Sequence, residues 1–139
     1  MTKKEVLVKW TGNKQFIGTD SGKHSIVISS HDEANNTGMS PSQLLLLALA
    51  SCSAYDVVNI LQKKRLQLDG LDISVRGEQE PDPPWTYRKI HLKYVFCGPD
   101  LTDKAVEQAI VLSMTKYCSV AATVSGKAEV THEFKILGK

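Results

Sequence analysis

Several classes of protein are excluded by what this sequence does not contain. No charge of one sign dominates: a formal net charge of +2 over 139 residues gives neither the basic field that holds nucleic acid nor an acidic tail. Its most hydrophobic stretch, Leu44 to Ala50, is followed by Ser51, Ser53, Asp56 and Asn59, short of the roughly 20 unbroken apolar residues of a bilayer span. The opening MTKKEVLVKW has lysines but no apolar core and no small-residue cleavage site, so no signal peptide is expected. Only three cysteines are present, at wide spacing and with no CxxC pair, a poor framework for disulfides or for zinc. These absences point to a cytoplasmic protein with free thiols, no metal and no cofactor, whose partners include neither nucleic acid nor a membrane. There is no internal repeat or low-complexity segment, and the length suits one domain, residues 1–139.

What the sequence does contain is one long helix pattern, from Met39 to Leu61. Ser40 can cap the amide of Gln43, Pro41 fits the first helical position, and Met39 with Leu44 can form a hydrophobic staple. Leu44 to Ala50 is apolar on every side, which assigns it to a core or a subunit interface. Cys52 shares a helical face with Leu45, Ala48, Leu49 and Asp56.

The remaining elements are set around this helix. Val6, Val8 and Trp10 alternate in a first strand, Gln15 to Thr19 forms a second and His24 to Ser29 a third, a meander. The polar run SHDEANNTG, Ser30 to Gly38, reads as a loop that could cover Cys52. After Asp69 and Gly70, strand alternation returns in Leu71, Ile73 and Val75, and again in Tyr87 to Cys97, with Ile90, Leu92, Tyr94 and Phe96 on one face. Asp100 or Thr102 can cap a second helix carrying Val106, Ala109, Ile110, Ser113 and Tyr117 at helical spacing. Cys118 follows, then a short turn over Val120 to Val124 and a last strand, Lys127 to Leu137. The fold class is α+β, antiparallel strands packing one face against helices.

Chemistry can come from few residues. A cysteine on an apolar helix is ordinarily a small core residue, but Cys52 and Cys118 lie on two helices that would bring them within disulfide reach if packed side by side. A reactive thiol needs help to ionise, and Cys52 has no lysine or arginine within two turns. Lys23, His24, His31, Arg88 and Lys116 are the candidate cations. Asp56, one turn beyond Cys52, opposes thiolate formation unless paired. Cys97 falls on the opposite strand face from the helices and receives no role, and His132 reads as a satisfied core or interface histidine.

The run SPSQLLLLALASCSAYDVVNIL, followed far downstream by SMTKYCSVAATV, resembles the OsmC/Ohr family of osmotically inducible and organic hydroperoxide resistance proteins. The likeness extends to the VKW opening, the Ser21-Gly22-Lys23-His24 turn, Gly98-Pro99-Asp100-Leu101 and Thr131-His132. It implies antiparallel sheets packed around a long central helix, an intertwined homodimer, and a site at the subunit interface. It also implies that Cys52 attacks an organic hydroperoxide, that Cys118 closes a disulfide with it, and that a dithiol such as a reduced lipoyl group restores both. Two positions depart from the family's peroxidases. Ser42 stands where they carry a glutamate, and their N-terminal arginine has no counterpart, the first arginine here being Arg65. The chain thus resembles an OsmC-like branch that keeps the cysteine pair without the activating pair. Thiol-dependent reduction of organic hydroperoxides, weak or on an unusual substrate, is the leading expectation. The alternatives are a thiol-disulfide redox protein or sensor, and a non-enzymatic dimer that binds a small apolar ligand.

Overall fold

Alternating apolar residues in the first thirty positions become three strands, β1 (Leu7–Gly12), β2 (Gln15–Thr19) and β3 (Ser25–Ser29), paired as an antiparallel meander. A computed structural model describes residues 1–139, and the chain divides into two units, Met1–Leu45 and Leu46–Lys139. In the first unit, the β1–β2 turn is closed by Asn13, in the left-handed region at φ 51°, whose carbonyl accepts from the Trp10 indole N–H at 2.7 Å. In the second turn Asp20 accepts from the His24 amide at 2.9 Å.

The polar loop after β3 is tied down by its own short side chains. Asp32 accepts from the Ser30 hydroxyl (2.7 Å), the Asn35 amide group (2.7 Å) and the Ala34 amide (3.1 Å), and these donors, Ser30 first, lower its pKa to about 2. Buried Ser29 accepts from the amides of Thr37 (3.1 Å) and Gly38 (2.9 Å). Gly38 is required there, because a Cβ would stand 2.5 Å from the Val27 carbonyl oxygen.

Helix α1 (Pro41–Lys63) starts at the predicted proline, and its core-facing residues Leu49, Ala50, Ser53, Val57 and Leu61 form one stripe. By length and mean hydropathy α1 would also pass for a membrane span. Its stripe, however, packs against the chain's own hydrophobic core. The all-round apolar character has a different outlet: Leu47 is exposed, and Tyr55 is 72% exposed.

Strands β4 (Gly70–Gln79) and β5 (Tyr87–Cys97) pair antiparallel, and the predicted face of β5, Ile90, Leu92, Tyr94 and Phe96, is fully buried. Each such side chain contributes about 1.5–3 kcal/mol by leaving water. Thr102 caps α2 (Asp103–Leu112), its hydroxyl accepting from the Ala105 amide at 3.1 Å. A π turn (Ser113–Tyr117) and α3 (Ser119–Val124) then lead to β6 (Glu129–Ile136). This last strand departs from the antiparallel expectation: β6 pairs parallel to β5, in the sheet order β4-β5-β6. The reason is the connection, since a crossover through helices returns the chain in the same direction.

Candidate functional site

Helical geometry places Cys52 and Asp56, four residues apart on α1, one above the other on the same face. The second thiol reaches them through the π turn. Val106, Ala109, Ile110 and Ser113 follow the expected stripe and are buried, but the wider turn then shifts the phase. Tyr117, expected on the stripe, is consequently 53% exposed, and Cys118, only 2% exposed, takes the inward place. The Cys118 amide donates to the Ser113 carbonyl at 2.8 Å, closing the π turn. Cys118 then caps α3, its Sγ accepting from the Ala121 amide at 3.3 Å. The two sulfurs and a carboxylate oxygen of Asp56 lie within 4.8 Å of one another, and all three cysteines are free thiols.

The two neighbouring thiols are driven apart in acidity. Burial pushes the Cys52 pKa up, but the Val120 amide, the Cys118 thiol and the Ser119 hydroxyl and amide outweigh it and leave Cys52 below its ordinary value. Burial pushes Cys118 up to about 11, against the Ala121 amide, and the neighbouring Cys52 adds to the rise. The first ionisation of the pair therefore belongs to Cys52. Neutral donors take the place of the expected cation.

Behind the thiols runs a chain of hydroxyls. Tyr94 OH lies 2.6 Å from Ser53 Oγ, Ser53 Oγ lies 3.0 Å from Ser113 Oγ, and the Ser113 hydroxyl donates to Asp56 Oδ2 at 2.9 Å. Burial, with the charges of Cys118 and Asp56, pushes the Tyr94 pKa up to about 12 although Ser53 supports its ionised form. His132 meets the Tyr94 ring edge-on at 6.5 Å between centroids and donates from Nε2 to Glu107 at 3.0 Å, a satisfied core-edge histidine as its alternation predicted. A cleft of about 330 Å³, with Asp56, Asn59, Lys63, Lys64 and Tyr117 in its wall, opens beside Asp56.

The other candidates are occupied elsewhere. Arg88 pairs with Glu80 at 2.7 Å, and Lys116 lies over the Tyr117 ring at 5.3 Å. Within the first unit, His24 contacts Asp20 at 3.1 Å, His31 Nε2 donates to the Gly38 carbonyl at 2.9 Å, and Lys23 forms the turn at φ 66°. Ser42 is in the first turn of α1, and Cys97 is exposed at the end of β5. Ser53, Ser113 and Tyr94, which the sequence places only within helix and strand patterns, join the site through these hydroxyl contacts. Their one signal was Ser113 and Ser53 as lone hydroxyls on otherwise apolar stripes.

Comparison with known proteins gives the family and the fold. Residues 33–133 match the family model for OsmC-like protein. Protein YhfA of Escherichia coli K12 is 33% identical over 130 residues, 94% of this chain and 96% of YhfA. A crystal structure of a protein from Aquifex aeolicus superposes with a TM-score of 0.84 at 34% identity, covering 98% of each chain. The organic hydroperoxide resistance protein OhrB of Bacillus subtilis shares the fold at a TM-score of 0.66 and 16% identity, over 96% of this chain and 98% of OhrB. The chain belongs to the OsmC-like family.

Proposed function

We propose that the protein reduces organic hydroperoxides through Cys52 and Cys118. The observation that carries this reading is the pair of sulfurs within 4.8 Å, one favoured as thiolate and the other held protonated. The Cys52 thiolate attacks the peroxide oxygen; an S–O bond forms, the O–O bond breaks, and the departing alkoxide takes a proton to become the alcohol. Cys118 then attacks the sulfenic sulfur, giving the disulfide and one molecule of water. A dithiol, of the lipoyl type, exchanges with this bridge, is itself oxidised to a cyclic disulfide, and returns both thiols.

The working molecule in this reading is an intertwined homodimer in a reducing, cytoplasmic compartment. In its support, Leu7, Val8, Trp10, Ile26 and Val27 of the first unit and Leu47 and Tyr55 of the second are exposed in the single chain. The three free thiols fit the compartment. Treating Cys118→Ser with cumene hydroperoxide and a sulfenic acid trap is the test. A trap adduct on Cys52 is expected; an adduct confined to Cys97 would contradict it.

A thiol-disulfide redox role is the second reading, favoured by the purely neutral donors around Cys52. It predicts that the Cys52–Cys118 bridge forms as fast with a small disulfide as with an organic peroxide at equal concentration.

A further inference from the structure

We propose that the reduced protein binds a zinc ion between Cys52 Sγ, Cys118 Sγ and the Asp56 carboxylate, with water as the fourth ligand. This inference stands independently of the peroxidase reading, since it concerns the resting dithiol rather than its oxidation.

The three ligand atoms already lie within 4.8 Å of one another. A tetrahedral zinc with Zn–S of about 2.3 Å and Zn–O of about 2.1 Å sets S···S and S···O separations near 3.8 and 3.6 Å, so side-chain shifts of about 1 Å close the site. Cys52 and Asp56 stand at positions i and i+4 of one helix, the spacing that points two ligands at one ion, and Cys118 completes the set from the start of α3. No linear motif announces the site because Cys118 lies 62 positions beyond Asp56 and comes to it only through the π turn.

Each candidate ligand also has the second layer of contacts that metal sites use. Asp56 Oδ2 is oriented by the Ser113 hydroxyl at 2.9 Å, and Cys118 Sγ accepts the Ala121 amide at 3.3 Å. The Ser119 and Val120 amides act on Cys52. Once Cys118 gives up its proton to ligate, two thiolates and a carboxylate stand in one place, and the donors around Cys52 are all neutral. A divalent cation is the compensation this cluster asks for, and thiolate sulfur selects zinc over calcium or magnesium. Because Cys118 must lose its proton to ligate, affinity rises with pH and binding releases protons.

The test is anaerobic titration of the reduced, metal-free protein with Co²⁺ as a spectroscopic stand-in, followed by competition with Zn²⁺. The expected result is one Co²⁺ per chain, with a sulfur-to-cobalt charge-transfer band and tetrahedral visible bands that Zn²⁺ abolishes. Cys52→Ser and Cys118→Ser lose the charge-transfer intensity, Cys97→Ser keeps it, and the disulfide form of the unmutated chain binds none. Asp56→Asn weakens binding at least about tenfold while the band persists. Absence of a charge-transfer band in the unmutated protein overturns the proposal, as does a band that follows Cys97 or an Asp56→Asn affinity equal to the unmutated one. The disulfide form removes the site without any substitution, so a variant that fails to fold leaves the test intact.

Discussion

Cys118 keeps its proton at the expense of Cys52: the sulfurs lie within 4.8 Å, and the structure raises the acidity of Cys52 while lowering that of Cys118. The cause lies in the backbone. Val120 and Ser119 aim amide N–H groups at Cys52, whereas Cys118 is more deeply buried and faces its neighbour's charge. Alkylation by iodoacetamide should therefore modify Cys52 with a midpoint below that of an ordinary free cysteine, and Cys118 only near pH 11. Peptide mapping at a series of pH values reads both; equal profiles for the two residues would contradict the assignment.

Cys118 and Tyr94 set an alkaline limit on stability. Cys118 is raised from 9.0 to about 11 and Tyr94 from 10.0 to about 12, so the folded state holds protons that the unfolded chain releases. Their contribution is fully present below pH 9 and is lost as pH rises between about 9 and about 12. Thermal unfolding of the reduced protein should show a falling Tm across that window. In Tyr94→Phe the fall should end earlier, near the Cys118 value.

Removing the Tyr94 hydroxyl tests the buried chain that ends on Asp56. Ser53 keeps Ser113 as a partner, so Tyr94→Phe should cost only about 1 kcal/mol, near 3 °C in Tm. Ser113→Ala takes away the donor to Asp56 and should cost about 1–3 kcal/mol. Denaturant melts of the two variants measure both.

Trp10, 66% exposed, and Val8 mark the apolar face of the first unit. Analytical ultracentrifugation should give twice the 15.3 kDa chain mass, and Trp10→Glu should shift the population toward the single chain. A monomer in both cases would remove the homodimer from the account.

The strands were legible because their alternation is local. The face of β5 from Ile90 to Phe96 follows directly from period two, and Thr102 and Pro41 mark helix starts by their own chemistry. Cys52 and Cys118 were legible as a pair on the condition that their helices pack side by side, and the family likeness implied the same pair. What was not legible depends on geometry that no local pattern encodes. The π turn moves Tyr117 outward and Cys118 inward without a composition signal, and the parallel pairing of β6 depends on a long-range crossover. Asp56 was legible as a carboxylate on the Cys52 face; its contact with Ser113 and its nearness to Cys118 depend on segments about sixty residues away. Within the chain, Cys52 is helped by the Val120 and Ser119 amides, the Cys118 thiol and the Ser119 hydroxyl, neutral groups that no charge pattern marks.

The central claim is that Cys52 reacts with organic hydroperoxides faster than an ordinary thiol. Its most direct test is the second-order rate of thiol loss with cumene hydroperoxide and, separately, with hydrogen peroxide, in the unmutated protein, Cys52→Ser and Cys118→Ser. Exposed Cys97 supplies the ordinary thiol within the same molecule. The account predicts a fast phase that prefers the organic peroxide, disappears in Cys52→Ser and survives, without disulfide closure, in Cys118→Ser. A single slow phase at the Cys97 rate in all three proteins would contradict it.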